Sequence, residues 1–175
     1  MMNTQGAQHI SSDRGASIAS IIDNKIVSLE MCDMFLGDLL GYGISRYVFD
    51  FKMDKRWVVK VDCSDRNANV IENNIFVEAM QYDKRLLRWF APCGQMSRCG
   101  RVMLQRKCTM PKQSQYPKNI PDFFVDTKYQ NWGLLNGKVV CFDYAGTILS
   151  KLGNYKMIPA DWWSHKARGL ENTGR

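Results

Sequence analysis

The sequence predicts an α+β domain: a small antiparallel sheet with one principal helix. Three observations lead there. Runs rich in aromatic and β-branched residues recur around glycines and an Asn-Gly pair, at 39–52, 56–62 and 134–144, the pattern of strands joined by turns. One stretch, 67–89, carries apolar residues at helical spacing. The 175 residues, 45% hydrophobic and 23% charged, suffice for one core but hardly for two, and no repeat or linker divides them.

Taken in order, residues 1–14 are polar and read as a flexible N-terminus, with a single domain over 15–175. From Ala16 to about Met34, Ile18, Ile21, Ile22, Val27, Leu29 and Met31 form a helix-like stripe of imperfect phase. Leu39–Lys52 predicts two strands around a glycine turn, and Arg56–Asp62 a third strand. In the helix over 67–89, Ile71, Ile75, Glu78 and Tyr82 fall on one face at intervals of four, three and four. Pro92–Gly94 ends that segment, and Arg101–Cys108 predicts another strand. Met110–Pro121, with three prolines, reads as a connecting loop. Leu134–Tyr144 predicts a hairpin turning at Asn136-Gly137. Residues 146–175 are poorly patterned, with a short helix expected around Thr147–Leu152.

Composition narrows the function classes. No apolar run approaches the ~20 residues that cross a bilayer, and the N-terminus lacks the apolar core of a signal peptide, so a cytoplasmic protein without a membrane partner is expected. The six cysteines include no C-x-x-C, and neither His9 nor His165 lies near the cluster Cys93, Cys99 and Cys108. That spacing does not suit tetrahedral zinc, and reduced, mostly buried thiols are the expectation. Lys and Arg exceed Asp and Glu by 24 to 17, and 84–121 holds no acid at all. This basic block at 84–118, with Trp89, Phe90 and Tyr116 interleaved, suits nucleic acid, nucleotide phosphates or an acidic protein, or is simply a solvated face.

Several polar residues stand out in apolar surroundings. Gly41-Tyr42-Gly43 sits between two strand-like runs, a turn at which backbone can approach a ligand, or a plain hairpin turn. Lys60 interrupts the apolar strand WVVKV and needs solvent or a partner; Glu78, from the helix that follows, offers one. Asp126, Lys128 and Asn131 bring a carboxylate, an amine and an amide within six residues, and Asp143 ends the apolar run VVCF. A carboxylate at the end of a buried strand is well placed to hold a cation.

In this order the residues resemble the protein kinase-like fold. The resemblance is carried by Gly41-x-Gly43-x-x-Arg46-x-Val48, Lys60 in Val58-Val59-Lys60, Glu78, Asp126-x-Lys128-x-x-Asn131 and Asp143-Tyr144-Ala145, and spans roughly residues 39–145. It implies an N-lobe-like part over about 36–110, with an αC-like helix, and a much reduced C-lobe-like part over about 111–175. So pared-down a form resembles a phage or mobile-element protein. The implied activity is ATP- and Mg²⁺-dependent phosphotransfer to Ser/Thr hydroxyls of a protein partner or of the chain itself. Gly41 and Gly43 would cover the ATP phosphates, and Lys60, paired with Glu78, would contact two of them. Glu72 competes for that pairing but lies about 240° round the helix from Glu78; Glu78 is preferred because it shares the apolar stripe. Asp143 and Asn131 would ligate Mg²⁺, Asp126 would orient the acceptor hydroxyl, and Lys128 would contact the γ-phosphate.

The departures are informative as well. Arg46 replaces the third glycine, Phe124-Val125 replaces the family's His-Arg before the catalytic Asp, and Ala145 replaces the glycine of the metal-binding motif. Only thirty residues follow Ala145, too few for the family's helical lobe. A pseudokinase that inhibits or adapts a partner without catalysis is the alternative these departures leave open.

Overall fold

The computed structural model describes residues 16–23 and 26–163; the expected flexible N-terminus at 1–14, His9 and His165 lie outside them. The fold is α+β, with a five-stranded antiparallel sheet. The described residues form two compact units, one of residues 16–71 and 93–107, the other of 72–92 and 108–163.

The first unit is built on the sheet. Its strands are β1 (Leu36–Tyr42), β2 (Arg46–Phe51), β3 (Trp57–Asp62), β4 (Cys93–Met96) and β5 (Val102–Arg106), in the order β1-β2-β3-β5-β4. Alternation along paired strands separates an apolar from a polar face. Phe49, Val59 and Val61 are buried on the apolar face, where Ile18, Ile21, Cys32 and Leu36 cover them. The N-terminal region thus docks on the sheet. It does so as two helical pieces rather than one stripe: α1 at 16–23 and α2 (Leu29–Phe35), the latter capped by the Ser28 hydroxyl, which accepts from Met31 N. Leu29 and Met31, expected on the stripe, are exposed, because the break between the pieces resets the helical phase.

β4 is a strand the sequence did not signal. Cys-Gly-Gln-Met has no strand propensity, and its place comes from pairing with β5 at Cys93↔Gln105 and Met96↔Met103. Gly94 is required there, since a Cβ would stand 2.7 Å from the Trp57 ring.

The main helix, α3 (Ala68–Tyr82), begins where Asp62 Oδ2 accepts from Ala68 N at 2.7 Å. It is shorter than the predicted 67–89; Asp83 then caps a separate 3-10 turn over Lys84–Trp89. The expected stripe is also not the buried one. Ile71 and Tyr82 are exposed, whereas Ala68, Asn69, Glu72, Ile75 and Ala79 are buried. The buried face contains two polar residues, so counting apolar positions selects the wrong side. Asn69 is buried because its amide donates to the carbonyls of Lys60 and Arg101, at 3.2 and 3.0 Å.

In the second unit, β7 (Trp132–Leu135) and β8 (Lys138–Cys141) form the predicted hairpin. Asn136 and Gly137 supply consecutive positive φ values of 50° and 76°, as a tight two-residue turn needs. A second pair, β6 (Asn119–Pro121) with β9 (Met157–Pro159), falls where a loop and an unpatterned tail were expected. The short helix expected at 147–152 is a 3-10 turn over Leu149–Asn154. The core is aromatic: Phe90 contacts Phe123, Phe124 and Tyr144, and Phe124 meets Trp132 edge-on at 4.7 Å.

All six cysteines are free thiols; Cys32 and Cys141 are buried and Cys99 is exposed. Among the described residues no helix is long and apolar enough to cross a membrane.

Candidate active site

Asp126, Asn131 and Asp143 come together in the second unit. The loop from Phe124 leads to a 3-10 turn, Tyr129–Asn131, which passes directly into β7. Asp126 is exposed, and its two oxygens are oriented from within this loop. Oδ2 accepts from the Asn131 amide at 2.8 Å, and Oδ1 accepts from Lys128 N at 3.2 Å. Asn131 is only 8% exposed. Its carbonyl accepts from Phe142 N at 2.8 Å and from Asp143 N at 3.4 Å, which fixes the segment after β8 against the loop. The Asp143 carbonyl in turn accepts from Cys141 Sγ at 3.3 Å.

These three residues line one cavity of about 80 Å³, with Phe124, Tyr144 and Thr147 completing the wall. Two exposed carboxylates and an amide carbonyl are hard oxygen donors of the kind Mg²⁺ prefers, and Mg²⁺ commonly keeps waters and phosphate oxygens for its remaining positions. Among the described residues no group of three His, Cys, Asp or Glu side chains is placed to hold a metal by itself.

Glu72 is the residue the sequence reading passed over. Its side chain is wholly buried, and Oε1 accepts from Tyr144 N at 3.1 Å, on the residue next to Asp143. The Tyr144 hydroxyl donates to Ala91 O at 2.9 Å. Glu78, preferred for its place on the apolar stripe, is half-buried and lies off the buried face of α3. The signal for Glu72 was present as a second carboxylate on the same helix; the competing stripe obscured it.

The remaining predicted residues belong to the first unit. Lys60 is 3% exposed in β3, opposite Val48 on β2 and Met103 on β5. Cross-strand pairing puts Arg46 opposite Asp62, so the sheet face with Lys60 is polar and the opposite face apolar. Gly41 and Gly43 have ordinary negative-φ or extended backbone, and a Cβ at either would meet nothing within 4 Å. Neither packing nor turn geometry therefore demands glycine at these positions.

The basic block is partly neutralised. Arg85 pairs with Asp83, Arg101 with Asp65 and Lys107 with Asp50, while Arg106 lies over the Trp57 ring. Trp89 and Phe90 are buried, and Tyr116 packs against Tyr129 and Trp162. Trp132 is wholly buried.

No protein-family model, curated protein or solved structure matches this chain.

Proposed function

We propose that this protein is a minimal kinase-like phosphotransferase that uses ATP and Mg²⁺ and acts on Ser/Thr hydroxyls of a partner protein or of itself. The observation that carries the reading is the convergence of Asp126, Asn131 and Asp143 on one small cavity. They are separated by five and twelve residues and held by the Asn131 side-chain and main-chain hydrogen bonds. A scaffold without chemistry has no need of two exposed carboxylates aligned in this way.

Bound Mg-ATP supplies the phosphoryl group and the cation that offsets its charge. Asp143 and the Asn131 side-chain oxygen Oδ1 would hold that cation. Asp126, its carboxylate oriented by Asn131 and by Lys128 N, would position the acceptor hydroxyl and take its proton. Lys128 would serve the phosphates. Glu72, the carboxylate that α3 buries, would support the site from below by holding Tyr144 N beside Asp143. The open space at Gly41 and Gly43 suits close approach of backbone to phosphate. Phe124, which stands where the family carries the histidine, supports the loop through Phe90 and Trp132 instead.

The test is incubation of purified protein with γ-labelled ATP and Mg²⁺, alone and with host lysate, beside Asp126→Asn and Asp143→Asn. Label is expected with wild type and lost with both variants. Equal label in all three would overturn the assignment. No label at all, with nucleotide still bound, would favour the pseudokinase reading.

A further inference from the structure

The segment from β9 onward runs along the loop that carries Asp126, Lys128 and Asn131. β9 pairs with β6, and Ala160 N then donates to Lys118 O at 2.9 Å. The Thr127 hydroxyl donates to Asp161 O. Trp163 brackets Lys128 with two main-chain bonds: Trp163 N donates to Thr127 O at 3.4 Å, and Tyr129 N donates to Trp163 O at 2.9 Å. Lys128 and Trp163 thus form a parallel bridge, and the Lys128 ammonium lies 5.8 Å from the centroid of the Trp163 ring. Trp162 anchors the segment. Its ring stacks on Tyr129 and meets Trp132 edge-on, and its Nε1 donates to Pro117 O at 2.9 Å.

We infer that Trp163 is a positioning residue for Lys128 and, through the bonds that bracket it, for the loop at 126–131. The inference rests on the phosphotransfer reading for its consequence, though not for its geometry. A lysine is a point charge on a flexible four-carbon stem, and an aromatic face within about 6 Å attracts it. The Trp163 ring narrows where that charge can stand. The main-chain bonds on either side of Lys128 also restrain the turn through which Lys128 N reaches Asp126 Oδ1. These bonds add to those that the Asn131 carbonyl accepts from Phe142 N and Asp143 N, so the loop is held by main-chain hydrogen bonds from two segments.

The experiment uses the full chain with Trp163→Leu, which keeps apolar bulk and removes the ring, and Trp163→Phe, which keeps a ring. The first readout is independent of activity: protons held over an aromatic face resonate upfield. The Lys128 ε-methylene signals are expected upfield of the other lysines in wild type, to remain shifted in Trp163→Phe, and to join the others in Trp163→Leu. The second readout is transfer of label. Trp163→Leu is expected to lower kcat by roughly ten- to a hundredfold while KM for Mg-ATP changes less than about threefold, with Trp163→Phe recovering most of the loss. Unshifted Lys128 signals in wild type, or a Trp163→Leu variant that transfers at the wild-type rate, would overturn the inference. A wild type with shifted Lys128 signals and no transfer under any condition would sink the phosphotransfer reading and leave the positioning in place.

Discussion

Removing the Glu72 carboxylate tests the reassignment of the helix face most directly. In the folded chain Glu72 is wholly buried and accepts from Tyr144 N at 3.1 Å, and Tyr144 is itself 1% exposed. Glu72→Ala takes the acceptor from a buried N–H, a loss of about 1–3 kcal/mol, and removes a buried methylene worth about 0.8 kcal/mol. Relief of the desolvation that a buried carboxylate carries acts in the opposite direction. The net expectation is a loss of about 2–3 kcal/mol. For a chain of this size each kcal/mol shifts Tm by about 2–4 °C, which gives a fall of roughly 5–10 °C. Glu72→Gln keeps the shape and an acceptor oxygen and is expected to fall by less than half as much. Glu78→Ala, on the half-buried face, is expected within about 0.5 kcal/mol of wild type. Thermal unfolding followed by tryptophan fluorescence and far-ultraviolet circular dichroism reads all three. An alanine variant at position 72 that melts with wild type would refute the reasoning, as would a loss of equal size at position 78.

Two further outcomes follow from local geometry. The Lys151 ammonium, 2.8 Å from Asp122 Oδ2, and Lys156 N, 3.0 Å from Oδ1, hold the Asp122 carboxyl below its ordinary range. Because its folded value lies below the unfolded one, the stabilisation is present above the ordinary carboxylate range and is lost as pH falls through the folded value. Urea midpoints measured between pH 2 and 6 should therefore fall less steeply on acidification in Asp122→Asn than in wild type, and parallel curves would exclude the link. At Gly133 an added Cβ would stand 2.4 Å from Cys108 Cβ and 3.1 Å from the Phe142 ring. Gly133→Ala is expected to cost about 1–3 kcal/mol; at Gly146 the nearest atom to an added Cβ is 3.9 Å away, and alanine there should melt with wild type. Equal melting temperatures for the two variants would show that the hairpin relaxes to accept the methyl group.

Much of the architecture has a local cause and is legible in the chain. β2 and β3 are dense in β-branched and aromatic residues, and a strand that buries one face is favoured by such side chains. The β7–β8 turn is written in Asn136-Gly137, because few other pairs adopt two successive positive φ values without strain. The candidate site residues were legible as residue types in sequence order, since Asp126, Asn131 and Asp143 stand out against apolar neighbours. That they converge on one cavity could not be read from their order.

Tertiary structure decided the rest, for reasons that lie far along the chain. β4 has no propensity of its own and exists because β5 offers an edge. β6 and β9 are three residues each and separated by residues 122–156, so neither carries a signal without the other. The face of α3 was settled by partners absent from its own periodicity: Asn69 is buried by the carbonyls of Lys60 and Arg101, and Glu72 by the N–H of Tyr144. A polar side chain can occupy an interior when a distant backbone group satisfies it, and sequence alone does not reveal which group that is. The same holds for Trp163 beside Lys128, thirty-five residues apart in the chain and joined by hydrogen bonds on both sides of the lysine. Propensity and turn chemistry are properties of neighbouring residues, and they determined the strands and the hairpin. The satisfaction of buried polar groups is a property of the folded whole, and it determined which carboxylate the helix buries and how the loop of the candidate site is held.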